Sequence, residues 1–157
     1  MRAQCGFTLI ELLVTLAIVG LLSALAIPVA ELSVRRTRES ELRVNLRTIR
    51  DAIDAYKKES TAGRIAVKVG GSGYPASLES LVQGVTDLRD PKGNKLYFLR
   101  RIPRDPMREE NEPDDAQDWA LRSYLSAPDQ PRTGVDVFDV ASRSSAIAID
   151  GTRYSVW

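Results

Sequence analysis

The chain has 157 residues, with 22 Lys and Arg against 21 Asp and Glu, no histidine, and one cysteine, Cys5. A Ser-His-Asp triad, a Cys-His pair and a His-ligated zinc site are therefore excluded, as is an intramolecular disulfide. So even a charge balance points away from nucleic acid as a partner, and the length suits one compact domain plus a membrane segment.

The first element runs from Phe7 to Ile27. It is apolar for about the length a bilayer-spanning helix requires, and residues 9 to 27 contain one ionisable side chain, Glu11. A secretory signal peptide fits this stretch poorly. Only Arg2 precedes the apolar run, Ala24, Ala26 and Ala30 form a weak cleavage pattern, and the run continues into a helical pattern. Glu11 is the informative residue, because a charge near the start of a span costs about 2.5–3.5 kcal/mol and normally has a partner. No Lys, Arg or His lies within the span. Either Glu11 sits protonated or snorkelled to the interface, or a free amine created at Phe7 supplies the missing positive charge.

Gly6-Phe7-Thr8-Leu9-Ile10-Glu11 resembles the processing site of type IV prepilins and type II secretion pseudopilins. The resemblance implies a leader, residues 1–6, removed between Gly6 and Phe7 by a prepilin peptidase that then N-methylates Phe7. It implies that Glu11 neutralises the terminal amine of an adjacent subunit during assembly. Cys5 would leave with the leader. The charge rule for membrane topology assigns an Arg-rich flank to the cytoplasm, whereas the family places the side carrying Arg35, Arg36 and Arg38 in the periplasm. Glu31, Glu39 and Glu41 offset those arginines in sequence.

Pro28 follows the apolar run and either kinks or ends the helix. The pattern beyond it favours continuation. Leu42, Leu46, Ile49, Ile53 and Tyr56 recur at spacings of four, three, four and three, which makes one apolar stripe. One helix is expected from about Phe7 to about Lys58, with residues 7–28 as the transmembrane and assembly part and 29–58 as its periplasmic half. Gly20 and Pro28 both lower helix stability. Related pilins carry such a pair around a stretch that loses helicity on assembly; an ordinary tolerated glycine and a kink at the membrane edge is the other reading.

Residues 59–157 form the expected globular part. Ser60–Gly63 and Gly70–Gly73 read as loops, and the glycine cluster lacks the continuation of a phosphate-binding turn. A short helix is expected after an N-cap at Ser77, and Leu96–Pro106 reads as extended or turn geometry because of its prolines. Arg108–Asp118 is acidic and reads as a solvated, mobile loop. Trp119–Ser126, Val135–Ala141 and Thr152–Trp157 are three strand candidates, separated by loops with Pro128, Pro131, Gly134 and Asp150-Gly151. The fold expected is α+β: a helical spine on a small C-terminal antiparallel sheet, the pilin-like fold.

Tyr74-Pro75 with Leu78 and Leu81-Val82, Arg101-Ile102-Pro103-Arg104-Asp105-Pro106, Trp119 through Tyr124, and Val137 through Ser142 resemble the major, G-type pseudopilins. That family implies a filament built with copies of itself and other pseudopilins. It also implies an inner-membrane platform protein, a cytoplasmic ATPase, a single-pass inner-membrane precursor with its body in the periplasm, and no catalytic centre. A type IV pilin or minor pilin of a surface filament is the alternative. The family also implies calcium in a loop after the last long strand. Calcium takes six to eight oxygens, and Ser142–Gly151 offers one carboxylate, Asp150, with Asp136 and Asp139 near it in sequence and the acidic loop able to approach.

Overall fold

The computed structural model describes residues 6–108 and 118–157. The chain divides into two compact units, Met1–Thr37 and Arg38–Trp157, with the division inside the first helix. Helix α1 covers Leu9–Thr61 and runs through Pro28. Proline has no amide hydrogen, so the Ala24 carbonyl lacks its helical partner at that turn. The helix starts two residues later and ends three residues later than the sequence pattern placed it.

In the first unit the described large apolar side chains are exposed, among them Leu9 at 77 % and Leu21 at 67 %. Leu9 to Val34 covers about 39 Å at the helical rise, longer than a hydrocarbon core of about 30 Å. By length and composition α1 is able to cross a membrane.

In the second unit the stripe behaves as its spacing predicts. Leu42, Leu46, Ile49, Ile53 and Tyr56 are all buried, because i, i+3 and i+4 positions share one helix face. Helix α2, Leu78–Gln83, sets Leu78 and Leu81 against them. Ser77 occupies the N-cap position with extended backbone but makes no side-chain cap bond. Instead its carbonyl accepts from Ser80 Oγ at 2.6 Å. Gly84 closes α2 at φ 74°, and a Cβ there would come within 2.8 Å of the Tyr97 ring. Both the left-handed backbone and the ring contact call for glycine.

Two small antiparallel sheets complete the unit. Strand β1, Val85–Thr86, pairs with β2, Lys95–Leu96. Strand β3, Trp119–Arg122, pairs with β4, Asp139–Ser142, in the register Trp119 to Ser142 and Arg122 to Asp139. Trp119, Val137, Val140, Ala148 and Tyr154 close the core over the stripe. The Trp119 indole donates to the Pro103 carbonyl at 2.8 Å, and Asn45 on α1 donates to the Arg104 carbonyl at 3.0 Å. The proline-rich segment is thereby tied to both the helix and the sheet.

The α+β class holds, while the strand assignments need correction. Trp119–Ser126 is a strand only to Arg122, since Ser123–Ser126 forms a turn with both the amide and the hydroxyl of Ser126 on the Ser123 carbonyl. Within Val135–Ala141 the strand begins at Asp139, and it extends to Ser142. Thr152–Trp157 is not a strand. Arg153 makes one bridge to Ile147, and Tyr154–Val156 is a 3₁₀ turn. The Tyr154 hydroxyl donates to Glu39 on α1 at 2.8 Å. Of the acidic segment, residues 109–117 lie outside the described residues. Asp118 lies inside them, is buried, and pairs with Arg104 and Arg108.

Candidate functional site

The candidate assembly site is the start of α1. Gly6 and Phe7 are exposed ahead of the helix, with Phe7 at 86 %. Thr8 is the N-cap and Glu11 the third helical residue. The Glu11 amide donates to Thr8 Oγ1 at 3.3 Å, and the Thr8 amide reaches Glu11 Oε2 at 3.5 Å. This is a capping box, which satisfies two amides that the helix itself leaves open. Its sequence signature is Thr-x-x-Glu before an apolar run, which Thr8 to Glu11 matches. The Glu11 carboxylate thus lies over the first turn, at the amide of Thr8, the residue next to Phe7, with no cation beside it among the described residues.

Gly20 and Pro28 lie farther along the same exposed helix. A Cβ at Gly20 would meet nothing within 4 Å. Nothing inside the chain therefore requires glycine there; what it contributes is low helix propensity and a small cross-section.

The three aspartates named for calcium do not meet. Asp136 Oδ1 accepts from Ser123 Oγ at 2.5 Å and from the Tyr124 amide at 3.0 Å, and Oδ2 accepts from Ser72 Oγ. Burial alone would raise its pKa; the two serine hydroxyls and the amide bring it below the ordinary carboxylate value. Asp139 faces the other way, with Arg50 Nε at 2.8 Å and Arg122 Nη2 at 3.4 Å. Asp150 Oδ1 accepts from the Thr152 hydroxyl at 2.6 Å and its amide at 2.9 Å, bonds that lower its pKa, and Oδ2 faces Arg43 at 3.8 Å. No group of three His, Cys, Asp or Glu residues capable of holding a metal occurs among the described residues. Among the described residues the three carboxylates are not brought together, and guanidinium groups hold or face two of them.

Residues 1–27 match the family model for the prokaryotic N-terminal methylation motif. The type II secretion system core protein G of Pseudomonas aeruginosa is 33 % identical over 109 residues, which cover 67 % of this chain and 69 % of that protein. This chain belongs to the G-type pseudopilin family. A second member, core protein G of Klebsiella pneumoniae, is 28 % identical over 144 residues, covering 89 % of this chain and 86 % of its own. The type IV major alpha-pilin of Moraxella bovis is 38 % identical over 55 residues, 35 % of each chain. No solved structure matches the chain. Family membership agrees with the methylation motif, the exposed apolar helix and the α+β body, and all three are consistent with a membrane-anchored pilin-type subunit.

Sequence reasoning missed the residues that tie the C-terminal part to α1. Glu39 is buried and accepts from the Ile149 amide and the Tyr154 hydroxyl, both at 2.8 Å. Arg50 donates to Asp139 and to two main-chain oxygens. Their only sequence signal is position, since each borders the apolar stripe and so lies within reach of whatever covers it.

Proposed function

We propose that this chain is a structural, non-catalytic subunit of a type II secretion pseudopilus. It polymerises through its N-terminal helix after leader cleavage and so helps drive protein export across the outer membrane. The observation that carries the reading is Gly6-Phe7-Thr8-Leu9-Ile10-Glu11 opening an exposed apolar helix in a chain of the core protein G family. In this reading a prepilin peptidase removes residues 1–6 and N-methylates Phe7. Residues 7–28 are the membrane and assembly helix, and the rest of α1 with residues 59–157 stands in the periplasm. Glu11 of an incoming subunit pairs with the Phe7 amine of its neighbour, which returns to the carboxylate the partner that the span lacks. Gly20 and Pro28 mark where the helix yields as subunits pack. Copies of itself, other pseudopilins, the platform protein and the ATPase are its partners.

The match to the Moraxella bovis pilin favours a second reading, a surface pilus, but it spans only 35 % of the chain. Gene deletion and complementation separate the two when exported proteins and surface filaments are quantified side by side. Loss of specific exported proteins with surface filaments intact is the expected result. Loss of surface filaments with export unchanged moves the chain to the type IV pilins.

A further inference from the structure

The family resemblance implies a calcium ion near the end of the chain, and the residues there do not fit one. We propose that the Arg50 guanidinium occupies the role of that cation, so that the C-terminal segment is closed by a side chain of α1 and takes no divalent ion. Arg50 Nε donates to Asp139 Oδ1 at 2.8 Å, and Nη2 donates to the Val140 carbonyl at 2.9 Å and to the main-chain oxygen of Trp157 at 2.6 Å. One carboxylate and two main-chain oxygens form the all-oxygen set a hard cation takes, and a cation already holds them. Arg122 Nη2 lies 3.4 Å from the second Asp139 oxygen, so both oxygens of that carboxylate face guanidinium groups.

The surroundings repel a second cation. Arg43 stacks over the Trp157 ring at 4.2 Å and faces Asp150 at 3.8 Å, on the same groove of about 570 Å³ that Arg50 lines. The groove lining carries Arg43, Arg47 and Arg50 against Asp51 and Asp150, so an added divalent ion would meet a net positive surface. Unlike a bound metal, a guanidinium neither dissociates nor loses its proton in a protein. The fold around Trp157 is therefore indifferent to chelators. That filament assembly shares this indifference rests on the function proposed above; the local consequence does not.

The test uses the full chain in detergent micelles, first treated with EDTA and then titrated with calcium chloride alone. Calorimetry reads binding, near-ultraviolet dichroism reads the melting midpoint, and the ¹⁵N-indole resonance of Trp157 reads the local packing. The wild-type chain is expected to show no saturable calcium binding and one midpoint throughout. Arg50→Gln is expected to lower the midpoint by about 5–10 °C and to shift the Trp157 resonance, with no rescue by calcium. Arg50→Lys, which keeps the charge but not the three-way fork, should fall between. Saturable calcium binding by the wild type, or a midpoint that calcium raises, overturns the proposal. So does an Arg50→Gln chain whose midpoint and Trp157 signal match the wild type. If Arg50→Gln fails to fold, the wild-type titration and Arg50→Lys still decide. Every readout is on the isolated chain, so a failure here is distinct from a failure of the secretion reading.

Discussion

Glu11 has two roles to fill with one carboxylate, and substitutions separate them. As a capping group it accepts from the Thr8 amide at 3.5 Å while its own amide donates to Thr8 Oγ1. As a charge it awaits the amine of a neighbouring Phe7. Glutamine serves a capping box as glutamate does, so Glu11→Gln keeps the first role and loses the second. A hydrogen bond to a charged group contributes about 1.5–3 kcal/mol against about 0.5–1.5 for a neutral one. The difference, about 1–2.5 kcal/mol in each subunit contact, raises the concentration needed for assembly about five- to seventyfold.

Thr8→Val does the reverse. It removes the cap, at about 0.5–2 kcal/mol, from free and assembled subunits alike, so the loss largely cancels in assembly. The assay is overproduction, shearing and pelleting of filaments, with the mature N-terminus read by mass spectrometry so that a processing defect is not mistaken for an assembly defect. Both variants, and Glu11→Leu, should insert and be cut at Gly6. Thr8→Val should assemble close to the wild type, while Glu11→Gln and Glu11→Leu should not. Wild-type filament yield from Glu11→Gln refutes the charge argument. Equal failure of Thr8→Val and Glu11→Gln would reduce Glu11 to a cap.

Two further outcomes follow from the body of the protein. Ile49 is fully buried on the stripe, so Ile49→Ala should cost about 2–5 kcal/mol, measured as a lower midpoint in denaturant with an unchanged slope. The Asp87 carboxyl is held below its ordinary value by the Arg64 hydrogen bonds and the Arg89 amide, and Asp136 is lowered as described above. Both are depressed in the folded state, so their stabilisation is complete above the unfolded aspartate value of about 3.9 and is lost as pH falls through the folded values. Thermal midpoints should therefore be flat in these two groups above about pH 5 and fall below about pH 4, and Asp136→Asn should flatten that acid limb.

What the sequence made legible was what repeats. Leu42, Leu46, Ile49, Ile53 and Tyr56 announce a buried face because five residues agree on one period. The Gly6–Glu11 run announces itself by an unpaired charge in an apolar setting. Strands of two residues have no period to read, and β1 and β2 went unseen for that reason. Tyr154 could pass for a strand residue until Glu39, 115 positions away in the chain, was found beneath its hydroxyl. The three calcium candidates lie apart among the described residues. Asp136 and Asp139 are three residues apart in sequence, one at a bend before the strand and one at its first position, and their carboxylates take different partners. One meets Ser72 and Ser123, and the other meets Arg50 and Arg122.

The same geometry explains how a body with one cysteine, in the part expected to be cleaved, and so little sheet holds its irregular segments. Four side chains of α1 grip main chain directly. Glu39 takes the Ile149 amide, Asn45 the Arg104 carbonyl, Arg50 the oxygens of Val140 and Trp157, and Lys57 the Ser72 carbonyl. At about 100° per residue, Glu39, Arg50 and Lys57 fall within about 20° of one line along the helix. Asn45 lies on the far side of the stripe. The apolar residues between these edges supply the burial, and the polar residues on the edges fix where each loop crosses. A loop held by its backbone places few demands on its own side chains. The 144–157 region closes on the helix because the residues that hold it, Glu39 and Arg50, belong to α1.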